Sequence, residues 1–116
     1  MQFGASTWLW TSPFTSDQTA LLETIARLGF DFVELPVEDP AHIDAARLRP
    51  VLKDLGLEAV ICAAVVGERD LSTQDPQTLA GAMDYFSACL ALAESLGSQV
   101  LAGPLYAPVG KPRLSG

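Results

Sequence analysis

The chain predicts an α/β fold in which strands alternate with helices and pair into a parallel sheet. Three observations carry that prediction. A short phrase recurs, as LGFDFVEL from Leu28, LGLEAVIC from Leu55 and LGSQVLAG from Leu96. Each Leu-Gly closes a stretch whose apolar residues recur at helical spacing. Each is followed by a short apolar run rather than an alternating one, which is the pattern of strands buried on both faces of a helix-covered parallel sheet.

Taken in order, the opening strand is expected at residues 2–6. The first helix places Leu21, Leu22, Ile25 and Leu28 on one stripe, and Thr15-Ser16-Asp17-Gln18 reads as a capping-box start. Gly29, Gly56 and Gly97 each suit the position after a helix, where the backbone turns left-handed and glycine does so without strain. The second helix aligns Leu48, Val51, Leu52 and Leu55, and Pro50 inside it predicts a kink or a late start. In the third, Asp75 is the expected cap, Pro76 the first helical residue, and Leu79, Met83, Phe86 and Leu90 the buried stripe. A fourth strand is expected at residues 100–102. The order β-α-β-α-β-α-β, crossed right-handedly, forms one domain with no linker or low-complexity segment.

With 116 residues, 49% hydrophobic and 18% charged, the chain is long and apolar enough for a real core and is not disordered by composition. Fourteen acidic residues against seven basic give a net charge of -7. Gripping a phosphate backbone takes a clustered positive surface, so neither nucleic acid nor an anionic membrane is expected as a partner. Cys62 and Cys89 lack metal-ligand spacing and are too few for a disulfide scaffold, which predicts reduced thiols in a cytoplasmic protein. MQFGASTWLW contains no Lys or Arg, so no signal peptide is expected, and the longest apolar run, residues 59–66, falls short of the about 20 residues of a membrane helix.

A doubly wound open sheet and a (β/α)8 barrel share this order. In a nucleotide-binding open sheet the first strand leads into a glycine-rich phosphate turn. Here it leads into Thr7-Trp8-Leu9-Trp10-Thr11-Ser12-Pro13-Phe14, with three aromatics and no glycine. The βα connections gather at one end of a parallel sheet, where both architectures build their sites. That end collects Trp8, Trp10 and Phe14; Glu34, Glu38, Asp39 and His42; Cys62, Glu68, Arg69 and Asp70; and Gly103, Pro104, Tyr106 and Lys111. Aromatics with carboxylates suit a polyhydroxylated ligand such as a sugar better than a nucleotide.

Individual residues carry two readings each. By strand alternation Glu34 points away from the helices, as a pocket carboxylate or as one satisfied in a structural network. His42 with Glu38 and Asp39 is not a recognised metal-ligand pattern, and a solvated loop is the plainer reading. Cys62 has no neighbouring histidine to activate it, so core packing is the plainer reading; Cys89 reads as helix packing. Residues 68–70 read as a charged turn, with Arg69 also a candidate for a substrate phosphate.

The segments GASTWLWTSPF, LGFDFVELPVEDP, ICAAVVGERDLSTQDP and LAGPLYAPVGKPR resemble the N-terminal part of the xylose isomerase-like sugar isomerases and epimerases, in particular the ketose 3-epimerase branch (D-tagatose or D-psicose 3-epimerases). The resemblance implies that residues 1–116 form the N-terminal half of a (β/α)8 TIM barrel, from the first strand to the loop after the fourth. It implies an isomerase that moves a proton beside a carbonyl through an enediolate, on a sugar substrate, assisted by a divalent metal such as Mn2+. The family's metal ligands, two Glu, one Asp and one His, belong to later strands, so this chain alone is expected to hold no metal and no proton-transferring residue. It would supply the pocket wall, through Trp8, Trp10, Phe14, Glu34, Cys62, Gly103, Pro104 and Tyr106. Hydroxypyruvate isomerases and inosose dehydratases share the resemblance, and the endonuclease branch fits the acidic balance poorly. The alternative from another class is a non-catalytic half-barrel that binds a sugar or self-assembles, as a homo-oligomer joined through open sheet edges. A flavodoxin-like small domain is the third, weakened by the missing phosphate loop.

Overall fold

The structure, a computed structural model, describes residues 1–64 and 69–103. The periodic stretches between the Leu-Gly phrases form helices, and the apolar runs after them form strands: β1 (Gly4–Ser6), α1 (Thr19–Arg27), β2 (Phe32–Val37), α2 (Ala45–Leu55), β3 (Glu58–Ala63), α3 (Pro76–Ser95) and β4 (Leu101–Ala102). Two single 3-10 turns, Thr7–Leu9 and Pro40–His42, follow β1 and β2. Gly29, Gly56 and Gly97 adopt φ of +93°, +67° and +72°, the left-handed turn their position demands. After α2 and α3 the next residue closes back on the helix, Leu57 N–H donating to Leu52 O at 3.0 Å and Ser98 N–H to Ala93 O at 2.8 Å. These bonds satisfy carbonyls that a helix end leaves without partners.

Helix starts follow local side-chain chemistry, with one correction. Asp75 caps α3, accepting from Thr78 N–H at 3.1 Å and from the Thr78 hydroxyl at 2.6 Å, and Pro76 takes the first position. Asp44 caps α2 by accepting from Arg47 N–H at 3.3 Å. The helix begins ahead of Pro50 and continues past it to Leu55, so the proline costs one backbone bond rather than delaying the start. The capping box expected before α1 forms only by half. Gln18 Oε1 accepts from Thr15 N–H at 2.9 Å, whereas Ser16 is used elsewhere: its hydroxyl accepts from Asp44 N–H at 2.6 Å and donates to His42 O at 3.3 Å. Ser16 therefore ties the loop before α1 to the loop before α2.

The four strands are parallel and lie in the order β1-β2-β3-β4. An order without reversal carries every crossing helix on one face, as in a barrel, whereas a doubly wound sheet reverses. Val33, Leu35, Val37, Ala59, Ile61 and Ala63 meet Leu22, Ile25, Leu48, Leu52, Phe86 and Cys89 in the core on that face. The opposite face carries two rows of strand partners, Ser6–Glu34–Val60 and Pro36–Cys62–Ala102. It is the face that lines the interior of a closed (β/α)8 barrel. Four parallel strands and three helices thus form a half-barrel. Among the described residues no helix is long and apolar enough to cross a membrane.

Strand β1 is shorter than expected, although its pairing reaches back one residue: Asp31 N–H donates to Phe3 O at 2.7 Å and Phe3 N–H to Asp31 Oδ2 at 2.9 Å. Leu28, expected on the α1 stripe, is 61% exposed because it ends the helix beyond the sheet. The stripe of α3 is also rotated from its expected position. Ala82, Tyr85, Phe86, Cys89 and Ala93 are buried, while Leu79, Met83 and Leu90 are exposed. The buried set contains small side chains, which let α3 approach the sheet closely. It also includes Tyr85, whose hydroxyl donates to Val37 O at 2.6 Å and accepts from Ala64 N–H at 2.7 Å.

Replacing Tyr85 by Phe removes only that hydroxyl and leaves a carbonyl and an N–H unpaired at the buried ends of β2 and β3. Each orphaned group costs about 1–3 kcal/mol. Urea denaturation of Tyr85→Phe is expected to show a loss of at least about 2 kcal/mol with an unchanged slope; a midpoint equal to that of the parent would refute this role.

Candidate functional site

Each βα connection is held by side chains close to it in sequence. The hydroxyl of Ser6 accepts from Trp8 N–H at 3.3 Å and so caps the 3-10 turn after β1. Thr7 O then accepts from the N–H groups of Trp10 and Thr11, both at 3.0 Å. Gln18 donates to the Thr11 hydroxyl at 3.0 Å, which holds the far side of the loop. The indoles of Trp8 and Trp10 remain about half exposed, at 47% and 44%. After β2, Asp39 accepts from Ala41 N–H at 2.9 Å and caps the turn that ends at His42.

These loops meet at Glu38 and Arg69. One carboxylate oxygen of Glu38 accepts from Trp8 Nε1 at 3.3 Å and from the Ser12 hydroxyl at 2.6 Å. The guanidinium of Arg69 donates to Ala64 O at 2.8 Å and to Glu38 O, and lies 3.9 Å above the centre of the Tyr85 ring. Arg69 thus clamps the ends of β2 and β3 together from above while Tyr85 clamps them from the helix side. Arg69 places two of its N–H donors on carbonyls and its face on a ring.

On the interior face Glu34 is partly buried, and Cys62 is buried on the neighbouring strand. Burial pushes the Cys62 thiol up to about 11 and the nearby Glu34 carboxylate adds to this, while the thiol's hydrogen-bond acceptor in the structure is Ala63 O at 3.8 Å. The pair presents a carboxylate acceptor beside a protonated, soft thiol. Burial likewise raises the Tyr85 phenol and the Cys89 thiol.

The other residues expected on the pocket wall fall differently. Phe14 is 1% exposed and belongs to the core with Leu22 and Ile25, because a ring with no polar atom is best placed out of water. Gly103 has φ of +119°, and a Cβ there would meet Ala63 O at 2.6 Å; its close neighbour is the β3 backbone. His42 is half-buried rather than solvated, its carbonyl accepting from Ser16 while its Nδ1 is buried without a partner among the described residues. Pro104, Tyr106, Glu68 and Lys111 lie outside the described residues. Sequence reasoning weighed Glu38 as a metal ligand or part of a solvated loop, preferred the loop, and did not single out Tyr85. The spacing of small residues at Ala82, Cys89 and Ala93 was the available signal for the face that carries it.

Among the described residues no group of three or more His, Cys, Asp or Glu could hold a metal ion. A separate hollow, lined by Arg49, Lys53, Glu58, Gly97 and Val100, opens at the other end of the sheet, where β3 and β4 begin, and shares no residue with this site.

The raised thiol sets two expectations. At pH 8 the thiolate fraction of Cys62 is roughly a hundredfold below that of the unfolded chain, so iodoacetamide labelling of a Cys89→Ala protein should be slower in the fold by at least that factor. Above pH 9 the unfolded thiol loses its proton while the buried one keeps it. Stability therefore falls as pH rises from about 9 to about 11. Labelling at the unfolded rate, or a melt that does not change over this range, would contradict both.

No protein-family model matches the sequence. The L-ribulose 3-epimerase of Mesorhizobium japonicum is 31% identical over 112 residues, which are 94% of this chain and 37% of the relative. A solved L-ribulose 3-epimerase superposes with a TM-score of 0.87 at 27% identity, over 100% of this chain and 40% of its own. The D-allulose 3-epimerase of Methylomonas sp., solved in complex with D-allulose, shares the fold with a TM-score of 0.86 at 24% identity, over 97% of this chain and 39% of its own. This chain therefore spans about two-fifths of the length of the relatives it matches. It is a homologue of the ketose and L-ribulose 3-epimerases, and its half-barrel corresponds to that share of their barrels.

Proposed function

We propose that this chain supplies one wall of the ketose pocket in an epimerase-type barrel. The observation that carries the proposal is the pairing of the interior carboxylate and thiol, Glu34 and Cys62, with two half-exposed indoles at the same end of the sheet. An indole face packs against the C–H face of a sugar, and a carboxylate accepts from its hydroxyls. Cys62, held protonated, contributes shape and no nucleophile. Pro104 and Tyr106, expected at the rim from the sequence, lie outside the described residues, while Gly103 lies close against the β3 backbone. Epimerisation at C3 removes a proton beside the ketose carbonyl and returns it to the other face. In this proposal the divalent metal and the carboxylates that exchange that proton belong to the remainder of the barrel, and this chain orients the sugar and excludes water.

The test is a chimera in which this chain replaces the matched segment of the Mesorhizobium japonicum L-ribulose 3-epimerase. Conversion of D-allulose or D-tagatose at C3 is expected in the chimera and not in the 116-residue chain with added Mn2+. Glu34→Ala in the chimera should lower kcat/KM by roughly tenfold or more, the worth of about 1.4 kcal/mol or more. Exposed Glu94→Ala should leave it unchanged. Equal effects of the two substitutions would defeat the pocket assignment, and epimer formation by the isolated chain would defeat the division of labour.

A second reading, a half-barrel that associates with its own kind, is favoured by the sheet itself. Among the described residues strands β1 and β4 are open edges, and Phe3 and Val100 beside them are 60% and 52% exposed. Unpaired edges with apolar neighbours recruit further strands. Sedimentation velocity over a hundredfold concentration range is expected to show self-association of the isolated chain. A monomer at every concentration would exclude this reading.

A further inference from the structure

Outside the pairing of Glu34 and Cys62, one polar contact reaches an aromatic of the proposed pocket, and it comes from a residue with no assigned role. We infer that Glu38 is a positioning residue, whose carboxylate sets the orientation of the Trp8 indole at the mouth of the barrel. The inference rests on the pocket reading for its link to a sugar, and on geometry alone for the positioning itself.

Three features make Glu38 suited to this task. Its main chain is fixed, because Glu38 O accepts from Arg69, and Val37 O just before it accepts from the Tyr85 hydroxyl. Its side chain then reaches across from the end of β2 to the loop after β1, where one oxygen accepts from both Trp8 Nε1 and Ser12 Oγ. Finally, among the described residues the carboxylate takes these neutral donors and no ion pair, the recorded ion pair being Arg47 with Asp17. An indole with no such acceptor would rotate about its two side-chain torsions, since nearly half of its surface is in water. A charge-assisted bond to the indole N–H selects one of those orientations, and the Ser12 bond keeps the acceptor in place. The residues that hold Glu38 lie in β2, α3 and the segment after β3, so the geometry of Trp8 is referred to the rigid part of the sheet rather than to its own loop.

The experiment uses the Trp10→Phe background, in which Trp8 is the single tryptophan. Glu38→Ala is expected to raise acrylamide quenching of Trp8 about twofold and to shift its emission to longer wavelength, as the indole loses its acceptor. Glu38→Gln, whose side-chain oxygen accepts from both donors, should restore the parent values. Glu38→Asp keeps the charge on a shorter arm and should behave like Glu38→Ala, which keeps the test alive if the alanine variant does not fold by circular dichroism. Parent-like quenching in folded Glu38→Ala or Glu38→Asp overturns the inference. Titration with D-allulose in the chimera described above then reads the consequence: affinity should fall about fivefold or more in Glu38→Ala and be kept in Glu38→Gln. If the sugar leaves Trp8 emission unchanged in the parent chimera, the pocket reading fails, while the quenching comparison still decides the positioning of the indole.

Discussion

Two hydrogen bonds to one phenol hydroxyl hold the end of this sheet. The last strand pair between β2 and β3 is Val37 with Ala63, and beyond it the backbones separate into loops. Val37 O and Ala64 N–H lie just where the ladder stops, and a buried backbone group without a partner costs as much as several surface contacts contribute. The Tyr85 hydroxyl serves both, as donor to one and acceptor from the other. Reaching them requires α3 to lie deep against the sheet, which explains the small residues Ala82, Cys89 and Ala93 on the same helical face. It also explains why the larger Leu79, Met83 and Leu90 are turned outward.

From that point the arrangement of the loops follows. The Tyr85 ring, fixed by its hydroxyl and packed edge-on against Phe86 with centroids 5.3 Å apart, offers its face to Arg69. Arg69 spends its donors on the carbonyls of Ala64 and Glu38, and this sets where the loop after β2 begins. The Glu38 carboxylate then reaches the loop after β1. Four elements separated in sequence are thus referred to one buried hydroxyl.

The two faces of the sheet separate stability from chemistry. On the helix face the strands present only aliphatic or alanine side chains to the core. On the other face Glu34 and Cys62 are the chemically distinctive members of the two rows, and burial, helped by the nearby Glu34 charge, raises the thiol. The pair sets a carboxylate acceptor beside a buried thiol. That division is consistent with a chain that spans about two-fifths of its epimerase relatives.

The sequence by itself determined the alternation of elements, the parallel sheet and the residues at the βα ends. Each of these rests on local physics: glycine turning left-handed after Leu28, Leu55 and Leu96, Asp75 and Pro76 starting a helix, and apolar runs too short and too uniform for solvated strands. The resemblance of four segments to ketose 3-epimerases carried the barrel, and the sequential strand order agrees with it. Tertiary structure alone decided which face of α3 is buried, since hydrophobicity ranks Leu79 and Met83 above Ala82 and Tyr85. What counted was the fit of small side chains against a sheet and a hydroxyl reaching two orphaned backbone groups. It also moved Phe14 from wall to core, left the His42 expected in a solvated loop partly buried, and made Arg69 of the expected charged turn a clamp between strand ends. Those placements depend on partners 26 positions away for Ser16–His42, 31 for Glu38–Arg69, and 48 for Tyr85 and Val37. Periodicity in a single chain reports which residues share a face, and the distant partner that makes a face worth burying becomes known only when the strands are side by side.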